Sequence, residues 1–308
     1  MRMRSLGSKG PDISVIGFGA WEAGGTDWGP NASDEAVIGA MRAGFDAGIT
    51  WIDTAEVYGD GVSERLVGKA ISGRTGEVFV ATKVAPDEGG SGFRPEQVAA
   101  ACEGSLSRLG IDHIDLYQLH WPDSTGVPLE DTWGAMLSLQ ETGKVGHVGV
   151  SNFDRAMIET CERLGHVDSL QQEFSLLALS DRELIAWCAD VGTGVVAYGP
   201  LAFGMLSGRF DGRTASELAD WRSREADGIF GPANLDANLR FVQSLQPIAA
   251  RLGITLSQLA IAWVAAQPGV TSAIVGSRNP DHVRSNAGAG DVELDDSTLE
   301  EIEALIGR

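Results

Sequence analysis

Asp53, Tyr58, Lys83 and His120 are the side chains of this sequence best suited by type and spacing to acid–base chemistry. Each follows a short apolar run. TWI ends at Asp53, with Tyr58 close behind, VFVAT ends at Lys83, and IDLYQL ends at His120. VGHVGV ends at Ser151 and Asn152, and GVVA ends at Tyr198. A phenol with an ordinary pKa near ~10 is a poor acid at neutral pH and needs tuning. A neighbouring ammonium favours the phenolate, and a carboxylate can hold that ammonium charged and oriented. An imidazole can donate to the oxygen that receives the proton.

Apolar runs of this length, separated by helical segments, predict buried parallel strands. In a (β/α)₈ barrel the active site collects at the C-terminal ends of such strands. Arg4 to Phe18 predicts a hairpin, with Gly7-Ser8-Lys9-Gly10 as turn and SVIGFG as the returning strand. A regular alternation follows. Ser33 caps a helix with Val37, Ala40, Met41, Gly44 and Phe45 on one face. Pro95 opens another, which Gly110 closes. Thr255 and Gln258 make a capping box. Eight strands are counted after the first hairpin arm. The expected fold is α/β, one TIM barrel over residues 1–308, with the hairpin capping the barrel bottom. The pattern lapses between Leu201 and Pro232, where a long connection is expected to be functional or mobile.

The formal charge of -20 argues against nucleic acid and anionic membrane as partners. An anionic ligand would need a local basic spot. Cys102, Cys161 and Cys188 show no metal or redox spacing and predict buried thiols in a reducing, cytoplasmic setting. No metal is expected. The longest apolar stretch, Leu259 to Ala266, is too short to span a bilayer. The first residues lack the apolar centre of a secretory signal. A monomer or weak homo-oligomer is expected.

D-T-A-E-V-Y-G at 53–59, T-K at 82–83, Q-L-H at 118–120, G-V-S-N-F at 149–153, Q-Q-E-F at 171–174 and Y-G-P-L at 198–201 together resemble the aldo-keto reductases. The likeness runs from about Ser5 to the C-terminus. It implies reversible, NADPH-dependent carbonyl reduction. Asp53, Tyr58, Lys83 and His120 then match the catalytic tetrad. Taken singly, Asp53 and Lys83 read first as a structural ion pair, and His120 could be a satisfied strand-end histidine and Tyr58 a packed loop tyrosine.

No G-x-G-x-x-G stands between a strand and a helix, so a Rossmann fingerprint is absent. The resemblance instead implies an extended NADPH/NADP+ across the barrel mouth. Ser151, Asn152 and Gln172 match holders of the nicotinamide carboxamide, and Tyr198 matches the residue stacked on the ring. Gly19, Ala20 and Trp21, with Asp53, lie near the ribose. Gly199, Pro200, Leu201 and Gly204 line the pyrophosphate path. Gly276, Ser277 and Arg278 reach the adenosine 2′-phosphate, with Arg278 as the basic spot. His282 and Asn286 fall beside adenine, and Ser285 departs from the side chains often found there.

Trp21, Tyr58, His120 and Trp121 are expected around a small-molecule carbonyl substrate, with Trp28, Phe203, Trp221 and Phe230 as further aromatic wall. Glycines and Arg209, Arg213, Arg222 and Arg224 suggest that the 201–232 connection orders over the cofactor. Some members of the family resemble channel β-subunits, so an NADPH-binding redox module with little turnover stands as the alternative. Schiff-base chemistry through Lys83 would need a desolvated, unpaired lysine.

Overall fold

The computed structural model describes residues 1–25, 28–29, 32–74, 76–86, 92–210, 217–218, 220–224 and 228–306. Strands β1 (Met3–Ser5) and β2 (Asp12–Ser14) pair antiparallel, with Met3 opposite Ser14. Eight further strands build the barrel. They are β3 (Ile16–Gly19), β4 (Trp51–Asp53), β5 (Phe79–Val84), β6 (Ile114–Leu119), β7 (Val145–Ser151), β8 (Ser169–Glu173), β9 (Gly194–Tyr198) and β10 (Val270–Val275). They close in the order β10-β3-β4-β5-β6-β7-β8-β9, each neighbouring pair parallel.

Helices connect them. α1 (Asp34–Asp46), α2 (Val62–Ile71), α3 (Pro95–Leu109), α4 (Leu129–Glu141), α5 (Arg155–Glu162) and α6 (Arg182–Val191) follow β3 to β8 in turn. α7 (Leu235–Leu252) and α8 (Leu256–Ala266) both precede β10, and α9 (Pro280–Ala287) and α10 (Asp296–Ile306) finish the chain. The caps are those expected. Ser33 accepts the Ala36 N–H, and Gly110 closes α3 at φ 68°. Thr255 and Gln258 cap each other's backbone at the start of α8. Each such cap contributes about 1 kcal/mol.

The predicted returning strand SVIGFG divides. Ser14 still pairs with Met3, whereas Ile16 pairs with Ala273 of β10. Between them the Val15 N–H bonds Arg2 O, so the chain leaves the hairpin at that point to enter the barrel.

Alternation along each strand sorts side chains between two cores. Ile52, Val80, Leu119, Val150, Leu170 and Val195 pack under the helices. Trp51, Ala81, Leu116, Val196 and Ile274 face the barrel interior, where Leu6 and Ile13 of the hairpin join them. Leu6 is 0% and Ile13 1% exposed, so the hairpin seals the N-terminal end. Full burial of one such side chain contributes roughly 1.5–3 kcal/mol. Gly17 makes room for the plug, because a Cβ there would lie 2.2 Å from the Trp51 ring. The Trp51 indole donates to Ser14 O and Ser272 Oγ.

All three cysteines are free and buried, and burial pushes their thiols up to about 11 at Cys102 and about 12 at Cys161 and Cys188. They carry no thiolate at neutral pH. Among the described residues no single helix is long and apolar enough to cross a membrane.

Candidate active site

Strands β4 and β5 bring Asp53 and Lys83 together at the barrel mouth. Lys83 Nζ donates to Asp53 Oδ2 at 2.7 Å, to Thr54 O at 2.9 Å and to the Tyr58 hydroxyl at 3.1 Å. Those three bonds use the donor capacity of an ammonium. Lys83 is wholly buried. Burial alone would pull its pKa down, but the Asp53 carboxylate and the Tyr58 hydroxyl overcome this and hold it above the ordinary value. Lys83 is therefore a cation, not a free amine.

Tyr58 hangs on the turn between β4 and α2. That turn is fixed from both sides. Glu56 Oε1 accepts the Ala85 N–H at 2.9 Å, and Ser63 Oγ donates to Ala20 O at 2.7 Å. Gly59 sits at φ 62°, and a Cβ there would lie 1.6 Å from Gly24 O, so no larger residue fits. The direction of the Tyr58 shift differs from the sequence expectation. Burial pushes the phenol above its ordinary value and outweighs the pull of Lys83, to which Asp53 adds in the upward sense. Tyr58 is thus a protonated phenol with a cation already on its oxygen.

His120 follows β6, its N–H on Val84 O. Its ring meets that of Tyr58 edge to face at 5.5 Å. Nδ1 is buried with no protein partner among the described residues. Burial, then the Lys83 charge, hold the imidazole well below its ordinary 6.5, so it is neutral. Such a depressed group contributes stability that is full above the unfolded value and drains away as pH falls toward the folded one. Acidification below about 6.5 should therefore lower the urea midpoint more steeply in the parent than in His120→Gln. Parallel acid profiles would refute this.

Asn152 takes φ 62°, a left-handed conformation that costs a non-glycine residue of order 1 kcal/mol and clusters at functional sites. Its amide donates to His120 O and Ser151 Oγ, and its Oδ1 accepts the Tyr198 hydroxyl at 2.9 Å. Gln172 does not join this group. Its amide donates to Asp181 Oδ2 on the outer side of β8. Gln171 is the inward residue, and its amide donates to Asp53 Oδ1 at 2.8 Å. Strand alternation explains the correction, because Leu170 packs under the helices and so Gln171 must face the interior. That signal was present in the sequence. Ala20 is likewise corrected. It is 1% exposed and packs with Phe18 in the helix-side core, so its side chain turns away from the mouth.

The remaining expected residues line one cavity of about 870 Å³. At the centre are Gly19, Trp21, Asp53, Tyr58, His120 and Trp121. Ser151, Asn152 and Tyr198 flank them, and Gly199, Pro200, Leu201 and Gly204 continue along one wall. Gly276, Ser277, Arg278, His282 and Asn286 close the far end, with Ser285 beside them. Lys83 lies beneath the lining. Glu22, Gln171, Thr255 and Ser257, none of them expected at the site from sequence, also border the cavity.

The far end gathers polar groups at the start of α9. Ser277 Oγ accepts the Asn279 N–H, Asn279 Oδ1 accepts the Asp281 N–H, and Pro280 opens α9. Arg278 Nη2 donates to Trp28 O at 2.7 Å, and its Nε lies 3.7 Å from Glu22 Oε2. Of the basic residues in the 201–232 connection, Arg209 lines the cavity and meets His282. Arg222 also lines it but is held by Asp220 and by Phe203 O. Gly212, Arg213 and the side chain of Arg224 lie outside the described residues. Across the mouth, Trp221 packs on Trp21 at 5.2 Å and on Trp28 at 5.6 Å, and Phe203 meets Trp221 at 4.9 Å. Phe230 is buried behind them.

The dimensions and donors fit an extended dinucleotide. The cavity, of about 870 Å³, has amide and hydroxyl groups at one end and a guanidinium at the other, and glycines between them where backbone can approach closely.

A family model for the aldo/keto reductase family matches residues 15–306. Aldo-keto reductase YhdN of Bacillus subtilis is 35% identical over 293 residues, spanning 92% of this chain and 87% of that protein. Among solved structures, the glycerol dehydrogenase AKR11B4 from Gluconobacter oxydans superposes with a TM-score of 0.87 at 29% identity, covering 99% of this chain and 95% of its own. An aldo/keto reductase from Klebsiella pneumoniae, solved in complex with NADP and acetate, gives 0.76 at 31% identity, covering 99% and 96%. This barrel, with its mouth of buried acid–base residues, belongs to the aldo/keto reductase family, a class of NADP-dependent oxidoreductases.

Proposed function

We propose that this protein reduces aldehydes or ketones to alcohols with NADPH, and that Tyr58 supplies the proton. The observation that carries the reading is the hydrogen bond from Lys83 Nζ to the Tyr58 hydroxyl, in a site where Asp53 fixes the ammonium. NADPH, when bound, supplies the hydride. Ser151 and Asn152 would hold its carboxamide, Tyr198 its ring, and Arg278 its 2′-phosphate.

The protein's own part is position and field. His120, being neutral, can donate to the carbonyl oxygen from one ring nitrogen. Tyr58 keeps its proton until negative charge develops on that oxygen. Lys83 then stabilises the phenolate left behind, and Asp53 keeps the ammonium in line. Because Lys83 is charged and paired, Schiff-base chemistry is disfavoured. The assembled proton-donating group also favours turnover over a cofactor-sensing role.

Trp21, Trp28, Trp121 and Phe203 wall the space above Tyr58, which suits an apolar or aromatic carbonyl compound. NADPH oxidation with a panel of aldehydes and ketones tests the reading. Absence of turnover with every carbonyl, together with tight cofactor retention, would replace it by the module alternative. Arg278→Ala should raise the Michaelis constant for NADPH far more than for NADH, since a charge-assisted bond to the 2′-phosphate contributes roughly 1.5–3 kcal/mol. Equal losses with both cofactors would make Arg278 a structural residue.

A further inference from the structure

Glu22 lies in the 3₁₀ turn Trp21–Gly24 that follows β3, beside the loop after β10, since β10 and β3 are paired neighbours in the barrel. Its carboxylate faces that loop, close to the Arg278 backbone N–H, and its Oε2 stands 3.7 Å from Arg278 Nε. Arg222 adds a second positive charge nearby. A backbone N–H and a guanidinium converging on one spot are what a phosphate requires. In this structure a carboxylate of the chain itself sits on them.

The pairing is poorly suited to a purely structural role. At 3.7 Å the Nε contact is an ion pair without hydrogen-bond geometry. The guanidinium is already oriented by its 2.7 Å bond to Trp28 O. Glu22 is partly buried, and desolvation raises its carboxyl above the ordinary value despite both arginines. Holding a charge there costs free energy that a better-placed anion would not lose.

We propose that Glu22 is an internal competitor for the 2′-phosphate and thereby sets the preference between NADP(H) and NAD(H). The proposal rests on the reading of Arg278 as the phosphate partner. With Glu22 in place, NADP(H) must displace a carboxylate from Arg278, or sit beside it and meet its charge. NAD(H), having no 2′-phosphate, meets neither obstacle. The chain thus discriminates less between the two cofactors than Arg278 alone would dictate.

The test is titration of the purified full chain with NADP+ and with NAD+, followed by tryptophan fluorescence or calorimetry. Glu22→Gln removes the charge and keeps the shape, whereas Glu22→Ala vacates the site. Both should tighten NADP+ by about tenfold while moving NAD+ by less than about twofold. In an Arg278→Ala background the Glu22→Gln change should lose this selectivity, as a direct coupling demands. Unchanged or weaker NADP+ binding in both variants, or an equal gain for both cofactors, would overturn the proposal. If the parent binds both dinucleotides and Glu22 has no effect, only the proposal falls. If neither parent nor variants bind a dinucleotide, the reading of the cavity falls with it.

Discussion

Tyr58→Phe is expected to reduce 4-nitrobenzaldehyde about 10²–10⁴-fold more slowly than the parent, the usual contribution of a general acid. Its NADP+ affinity should be unchanged. The ring can keep its packing, stacked on Trp21 at 6.2 Å and edge-on to His120, so the mouth retains its shape. What is lost is the hydroxyl that Lys83 contacts. The ammonium keeps its bonds to Asp53 and Thr54, so folding should suffer by only about 1 kcal/mol. A variant that turns over at the parent rate would remove Tyr58 from the chemistry.

Lys83→Met combines a catalytic loss with the largest expected loss of stability. Asp53 is 3% exposed, and without Lys83 its carboxylate keeps only the Gln171 amide among these contacts. Breaking a buried ion pair from one side typically costs about 3–5 kcal/mol. Urea unfolding should show this, and Asp53→Asn in the same chain should recover part of the stability without recovering activity. The pH dependence supplies a second check. The folded pKa of Lys83 is raised, so its contribution is full below the unfolded value and is lost as pH rises through the folded one. The parent should therefore lose stability on the alkaline side in a way that the Met variant does not. Equal midpoints for the two proteins at neutral pH would contradict the assigned pairing.

The barrel and the polar residues gathered at its mouth were readable because strand ends are. An apolar run that stops at Asp53, Lys83 or His120 reports both a buried strand and the direction in which its last residue points. The error at Gln172 has the same origin. Two glutamines in succession differ only in which face of β8 they take, and the motif was read without the alternation that Leu170 provides. The upward shift of Tyr58 was not readable, since it depends on how completely the phenol is buried once the turn closes on it. Gly59 was visible only as the last residue of the motif at 53–59. Its contact with Gly24 joins two connections far apart in the chain, and nothing local in either segment signals the meeting. Glu22 was invisible for the same reason. It precedes a featureless glycine pair, and its partner Arg278 arrives from the other end of the sequence.

Leu6 and Ile13 leave the barrel without a back door. Whatever enters at the strand C-termini must depart by that same opening, so arrivals and departures have to queue. A dinucleotide lying along the wall from Tyr198 to Asn286 would occupy the deeper berth, with the carbonyl compound seated last, over Tyr58. The alcohol would then leave before the spent cofactor, and crowding by one product would obstruct the exit of the other. The order of traffic would follow from a filled barrel interior, sealed at the opposite end by a hairpin that touches neither passenger.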